Sequence, residues 1–218
     1  MENYRLEGKT FVIDDYDRLP AFSSFLPGLA GVKGIPMWTF YTNRGQGMNS
    51  FGIDNKGNAI MEFNSANTAF ENTTVKGFRT FLTIDGEYYE PFFKYEDDAK
   101  RQIRMNKNSF KVIERNEKYG IEITVNYYVL PNESIGALVR QVSIKNISGQ
   151  KKNIEIIDGL PKIITYGISN GEFKEMSNLF KSWAYIKNID NKVPYYTLRA
   201  STKDSAEVSD VEGGYYYL

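Results

Sequence analysis

Between Ile121 and Val129 the chain alternates: Ile121, Ile123, Val125, Tyr127 and Val129 are separated by Glu122, Thr124 and Asn126. A helix would scatter that set around its axis, whereas a strand puts all five apolar side chains on one face and leaves the polar ones in water. The alternation resumes with Leu138, Val142 and Ile144 against Gln141, Ser143 and Lys145, and a further run follows from Asn153 to Ile157. Turn-forming stretches separate these runs: Asn116–Gly120, Pro131–Ser134 and Asn146–Gly149. From Ile103 onward strands recur at roughly 8–12 residues without a crossover helix, which is the rhythm of an antiparallel sandwich. The fold class expected is all-β, with one short helix.

The rest of the chain is read against that rhythm. Phe78–Ile84 and Glu87–Phe92 flank Asp85-Gly86, whose two residues suit the positive φ angles of a type I′ turn, so a hairpin is expected. Residues 9–13 form a short β run ending in the acidic cluster Asp14, Asp15 and Asp17. That cluster lacks the Gly and distal Glu of a calcium loop and reads as a solvated turn. Pro20–Gly28, with two prolines and a Ser pair, reads as an ordered loop packed on the sheet. Gly34–Phe63 reads as a three-run meander, turning first at Asn43–Gly47 and again at Asp54–Gly57. Asn64–Lys76, rich in Asn and Thr, reads as a loop or irregular crossing. Phe173, Met176, Leu179, Phe180 and Trp183 recur at helical spacing behind a Ser169/Glu172 capping box, and this is the one helix expected, with the stripe as core packing. Tyr195–Arg199 returns to β. Tyr215–Leu218 ends the chain on β-formers, as a chain cut within a larger protein would, or as a docked terminal strand. No linker divides the sequence, so residues 1–218 are read as one domain.

Composition narrows the chemistry. Lys and Arg number 27, as do Asp and Glu, so no net field draws a nucleic-acid backbone or an anionic membrane, and a neutral partner fits better. Cysteine and histidine are both absent, which removes disulfides, thiol catalysis, Ser-His-Asp hydrolysis and His-ligated metals. Met1–Glu7 is charged and has no apolar segment of the signal-peptide kind, and no run of about 18 apolar residues follows; a cytoplasmic protein is expected. Neither Gly45-Gln46-Gly47 nor Gly8-Lys9-Thr10 completes a nucleotide fingerprint.

Aromatic residues make up 15% of the chain, and Trp and Tyr faces stack on the C–H surfaces of sugars while Arg, Asn and Gln bond their hydroxyls. The densest such set is Trp38, Tyr41, Asn43, Arg44 and Gln46, the candidate substrate-binding residues; the competing reading has Trp38 and Phe40 in the core and Arg44 capping a turn. Asp158-Gly159-Leu160-Pro161 breaks the strand rhythm ahead of the helix, where a sandwich would extend a loop. No catalytic pair of carboxylates can be chosen from spacing alone.

Phe22–Gly28, Gly34–Trp38, Asn43–Gly47 with Ser50–Ile53, and Asp158–Lys162 together resemble the N-terminal region of cellobiose-phosphorylase-like proteins, glycoside hydrolase family 94, and within it the branch acting on β-1,2-linked glucooligosaccharides. The resemblance implies a large antiparallel β-supersandwich of galactose-mutarotase-like architecture, followed by an (α/α)6 barrel that carries the catalytic Asp. It implies no catalytic residue and no cofactor on these 218 residues. Inorganic phosphate would be the co-substrate of the parent enzyme, a β-linked gluco-oligosaccharide its substrate, and the chain's own barrel and a second copy its partners. Aldose mutarotases of the same architecture work through a histidine, which this chain lacks. The alternatives from other classes are a free-standing carbohydrate-binding module and a purely structural assembly domain.

Overall fold

The computed structural model describes residues 3–51, 61, 65–199, 214 and 216. Its largest unit is a six-stranded antiparallel sheet built from β1 (Tyr4–Glu7), β2 (Thr10–Asp14), β8 (Ala99–Met105), β9 (Ser109–Asn116), β10 (Ile121–Val129) and β11 (Leu138–Asn146), in the order β1-β2-β8-β9-β10-β11. The alternating residues behave as expected: Ile121, Ile123, Val125 and Tyr127 are fully buried, and Phe110 and Val112 face them from β9. The opposite face carries charges that neutralise one another, with Arg5 on Glu7 and Asp14, Arg104 on Glu7 and Arg115 on Glu122. That face is the solvated one.

Two smaller sheets pack on the apolar face. One is β3 (Ser23–Ala30), β4 (Ile35–Thr42) and β5 (Met48–Phe51) in order; the other is β12 (Ile154–Gly159), β6 (Arg79–Ile84) and β7 (Glu87–Tyr89) in the order β12-β6-β7. Both join one core. Tyr41 of β4 stacks on Phe110 with ring centroids 4.3 Å apart, and Leu82, Ile84 and Tyr89 reach it from β6 and β7. Gly28 lets β3 approach β10, since a Cβ there would lie 2.8 Å from a methyl of Val129. The Asp85-Gly86 turn has φ of 51° and 90°, as a type I′ hairpin requires, and Ile84 pairs with Glu87 across it.

α2 (Asn170–Trp183) starts on the expected capping box. The Glu172 amide donates to Ser169 Oγ at 3.2 Å, and the Ser169 amide to the Glu172 carboxylate at 2.8 Å. Phe173 and Phe180 bury against Ile164 and Ile168 in a second, smaller cluster, with Met176, Trp183 and Leu198 packed beside it; Leu179 stays exposed. Next come β13 (Ala184–Lys187) and β14 (Tyr195–Leu198), paired antiparallel.

Several segments differ from the sequence reading. Residues 66–76 are not a loop but an eleven-residue helix, α1 (Ala66–Lys76), so two α-helices and a 3-10 turn, Tyr16–Arg18, lie among the described residues. Few large apolar residues mark α1, because its buried stripe is Ala69 and Thr73. The Thr73 hydroxyl donates to the Ala69 carbonyl at 2.6 Å, which lets a polar residue lie on the core face. Pro20–Gly28 is not all loop, since its second half opens β3; that strand lies at a sheet edge, where a proline is tolerated. The acidic cluster is not simply solvated: Tyr16 is fully buried and Asp17 pairs with buried Arg101 at 3.0 Å. β1 was not foreseen, its apolar content being too low for a periodic signal. The expected turn at Asp54–Gly57, the strand after it apart from Met61, and the terminal run apart from Tyr216 lie outside the described residues.

Candidate functional site

The Asn43–Gly47 turn is pinned by its own side chains. Thr42 Oγ1 accepts from the Arg44 amide at 3.1 Å and donates to the Arg44 carbonyl at 2.9 Å. Gly45 has φ of +67° and passes so close to α1 that a Cβ would meet Thr73 Cγ2 at 3.0 Å, so both backbone and space demand glycine. The turn therefore delivers Gln46 inward, where it is fully buried.

Gln46 there enters a polar cluster that joins three layers of the molecule. Its Nε2 donates to Thr80 Oγ1 of β6 at 3.0 Å, and Thr80 Oγ1 donates to Asp158 Oδ1 of β12 at 2.6 Å. Arg140 of β11 completes the cluster. Its Nη2 donates to Gln46 Oε1 at 2.5 Å and to Asp158 Oδ1 at 3.0 Å, its Nη1 pairs with Asp158 Oδ2, and its Nε donates to Tyr127 OH at 3.2 Å. The guanidinium also lies 4.8 Å over the Phe78 ring. Burial works against its charge, but Tyr127 and the Asp158 carboxylate outweigh that and hold its pKa above the ordinary arginine value.

Beside this cluster is a small cleft bordered by Gly45, Gln46, Phe78, Arg79, Glu90 and Phe93. Arg79 grips Glu90 at two points, 2.7 and 2.8 Å, and packs its guanidinium on Phe81 and Phe93. Hydrogen bonding to Glu90 raises its pKa. Both carboxylates here, Asp158 and Glu90, are thus held by arginines at two points. The arrangement fixes loops and orients donors; it presents no uncommitted acid or base. Among the described residues no group of three or more carboxylates could hold a metal ion.

The five sequence candidates do not share one surface. Tyr41 is buried against Phe110, and Gln46 belongs to the Arg140 cluster. Asn43 is buried; its Nδ2 donates to the Leu19 carbonyl at 3.0 Å, and its Oδ1 has no partner. Arg44 is exposed and lies 4.2 Å over the Phe70 ring of α1. Trp38 is exposed on the outer face of β4, against Phe25 of β3. What the structure brings together instead is Gln46 and Asp158, from two of the segments that drew attention in the sequence. Thr80, Arg140, Arg79 and Glu90 were missed. Arg140 had a signal: it shares parity with Leu138, Val142 and Ile144, so a charged residue sits at a core-facing position of an alternating strand.

Against known proteins, the chain matches no protein-family model and no curated protein.

Proposed function

We propose that this chain is the N-terminal sandwich domain of an inverting phosphorylase of β-linked glucans or glucobioses, and that it supports catalysis without performing it. The observation that carries the reading is the convergence of the Asn43–Gly47 turn and the Asp158-Gly159 segment, two of the stretches in which the resemblance lies, on the shared partners Thr80 and Arg140. Segments 112 residues apart at Gln46 and Asp158 are fixed to each other, which is what a domain that presents loops to a neighbour requires. The absence of His and the arginine-bound state of Asp158 and Glu90 agree with a supporting role.

In this reading a phosphate oxygen attacks the anomeric carbon, the glycosidic C–O bond breaks with inversion, and one carboxylic acid on the barrel gives its proton to the leaving oxygen. No second base is needed, because phosphate arrives as an anion. The domain buttresses the barrel, helps form a homodimer and works in the cytoplasm. The test is phosphate-dependent release of glucose 1-phosphate from β-glucobioses or β-gluco-oligosaccharides by the parent protein. A well-folded parent that cleaves none of them in phosphate ends the proposal.

A further inference from the structure

The polar cluster under the Asn43–Gly47 turn contains a nucleophile and an electrophile that face each other. An outside substrate finds no free acid or base there, but Thr80 carries a hydroxyl and Gln46 an acyl carbon. Thr80 Oγ1 lies 3.0 Å from Gln46 Nε2 and 3.3 Å from Gln46 Oε1. An oxygen placed against both amide atoms is about 3.5 Å from the carbon between them, at the outer edge of a near-attack pair. It meets the amide near its plane, so attack needs the carboxamide to turn about its last torsion, which is a soft one.

The groups around the pair sit where acyl transfer requires them. Asp158 Oδ1 accepts from the Thr80 hydroxyl at 2.6 Å, the place of a general base. Arg140 Nη2 donates to Gln46 Oε1 at 2.5 Å; a guanidinium has no acceptor, so the amide turns its oxygen towards it. Negative charge developing on that oxygen therefore arises against a fixed cation. Thr80 is sealed from solvent and Gln46 is 2% exposed, so water does not compete for the acyl carbon. The Asp158 side chain, 24% exposed, leaves one edge open for a small product.

We propose that Thr80 and Gln46 join in an intramolecular ester. Thr80 Oγ1 attacks Gln46 Cδ, Asp158 takes the hydroxyl proton, and Arg140 holds the tetrahedral oxyanion. The Cδ–Nε2 bond then breaks, Asp158 returns the proton to the nitrogen and one ammonia leaves, so the step needs no oxidant and no co-reactant. The product ties the Asn43–Gly47 turn to β6 across 34 residues, in a chain that has no cysteine with which to make a disulfide. The bond depends on the geometry of the cluster alone and not on the phosphorylase reading.

The 218-residue chain, purified folded and held at neutral pH, is denatured and its intact mass measured; one ammonia below the sequence mass is expected. Tryptic digestion should give Gly45–Lys56 and Thr80–Lys94 as one linked species, which separates the ester from loss of ammonia elsewhere in the chain. Thr80→Ser keeps a hydroxyl and should keep the link, whereas Thr80→Val should abolish it. Asp158→Asn, its fold checked by circular dichroism, should lower the linked fraction at least about tenfold. The wild-type chain is decisive even where a variant fails to fold: a folded protein at its full sequence mass, with the two peptides separate, overturns the proposal. A link that survives Thr80→Val, or that forms fully in folded Asp158→Asn, overturns it too. The link in a parent protein that fails the phosphorolysis assay would remove the phosphorylase reading and leave the ester standing.

Discussion

Glu114→Ala should be among the most damaging single substitutions in the described core. Glu114 is fully buried on β9 and accepts three hydrogen bonds: from Arg101 Nε at 2.6 Å, from the Phe92 amide at 2.7 Å, and from Tyr89 OH. Arg101, itself only 4% exposed, would keep Asp17 at 3.0 Å and the Lys94 carbonyl at 2.5 Å. Removing one partner of a buried ion pair costs about 3–5 kcal/mol; the remaining carboxylate of Asp17 places Arg101 near the lower end, about 3 kcal/mol. The Phe92 amide then loses its acceptor, which adds about 1–2 kcal/mol. Phe92 also has φ of +64°, a strained angle for a bulky residue that the Glu114 bond helps hold. The sum, about 4–5 kcal/mol, is a large part of the roughly 5–15 kcal/mol that stabilises a whole domain.

The assay is urea unfolding followed by Trp38 fluorescence in a Trp183→Phe background, which reports on the sandwich and not on the α2 cluster. The double variant Arg101→Met with Glu114→Leu should recover about 1 kcal/mol or more of the loss, because the buried guanidinium is gone and the charge left without its partner is Asp17, whose side chain is 10% exposed. A loss below about 1.5 kcal/mol for Glu114→Ala, or a double variant no better than the single one, would refute the reasoning.

Burial, with the nearby Glu114 charge next for Tyr89, raises the hydroxyl pKa of Tyr16 and Tyr89 above the usual tyrosine value. Their contribution to stability is complete below about pH 10 and is lost as pH rises further, so absorbance at 295 nm should show these two ionising only together with unfolding. Hydrogen bonding from the Asn153 amide, then Lys152, lowers the pKa of Asp85; its contribution is present above about pH 4 and fades as pH falls through the folded value. A carboxyl NMR titration should show Asp85 below the ordinary aspartate midpoint, and Asn153→Pro, which removes the donor, should move it back towards that midpoint. Gly45→Ala and Gly8→Ala both force a residue with a Cβ into a positive φ, but only at Gly45 does that Cβ meet Thr73. Gly45→Ala should therefore cost about 1 kcal/mol more in urea unfolding than Gly8→Ala; equal losses would show that α1 gives way freely.

The strands were legible where burial is one-sided. From Ile121 to Ile144 the alternation fixed strand, face and turn, and Asp85-Gly86 fixed a hairpin through backbone requirements that few other residues meet. The layers were not legible. Nothing local says that β12 leaves its sequence neighbour β11 and pairs with β6, because that choice depends on partners 70 to 80 residues away. α1 stayed hidden because a small alanine and a back-bonded threonine make its core face. The five candidate substrate-binding residues were read as one surface because they are close in sequence. In a strand, however, neighbours point to opposite sides: Trp38 goes out, Tyr41 goes in, and the turn carries Gln46 under the sheet.

Two arginines take the structural place that disulfides hold in other small all-β domains. Arg101 and Arg140 both sit at core-facing positions of the six-stranded sheet, and each reaches out of it to other segments. Arg101 binds the 3-10 turn through Asp17, its own sheet through Glu114 and the loop after β7 through the Lys94 carbonyl. Arg140 binds the Asn43–Gly47 turn, β6 and β12. A guanidinium suits this task because its five donors are fixed in a plane and its charge does not titrate. The two hubs differ in one respect. Glu114 is sealed from solvent, while the Asp158 side chain remains 24% exposed, so water still reaches one edge of the Arg140 cluster. A sealed hub can only stabilise, whereas a hub with a wet edge also fixes the loops around it where a neighbour can touch them. Between the two, the Arg140 cluster is therefore the one whose loops would face a neighbouring domain if the proposed supporting role holds.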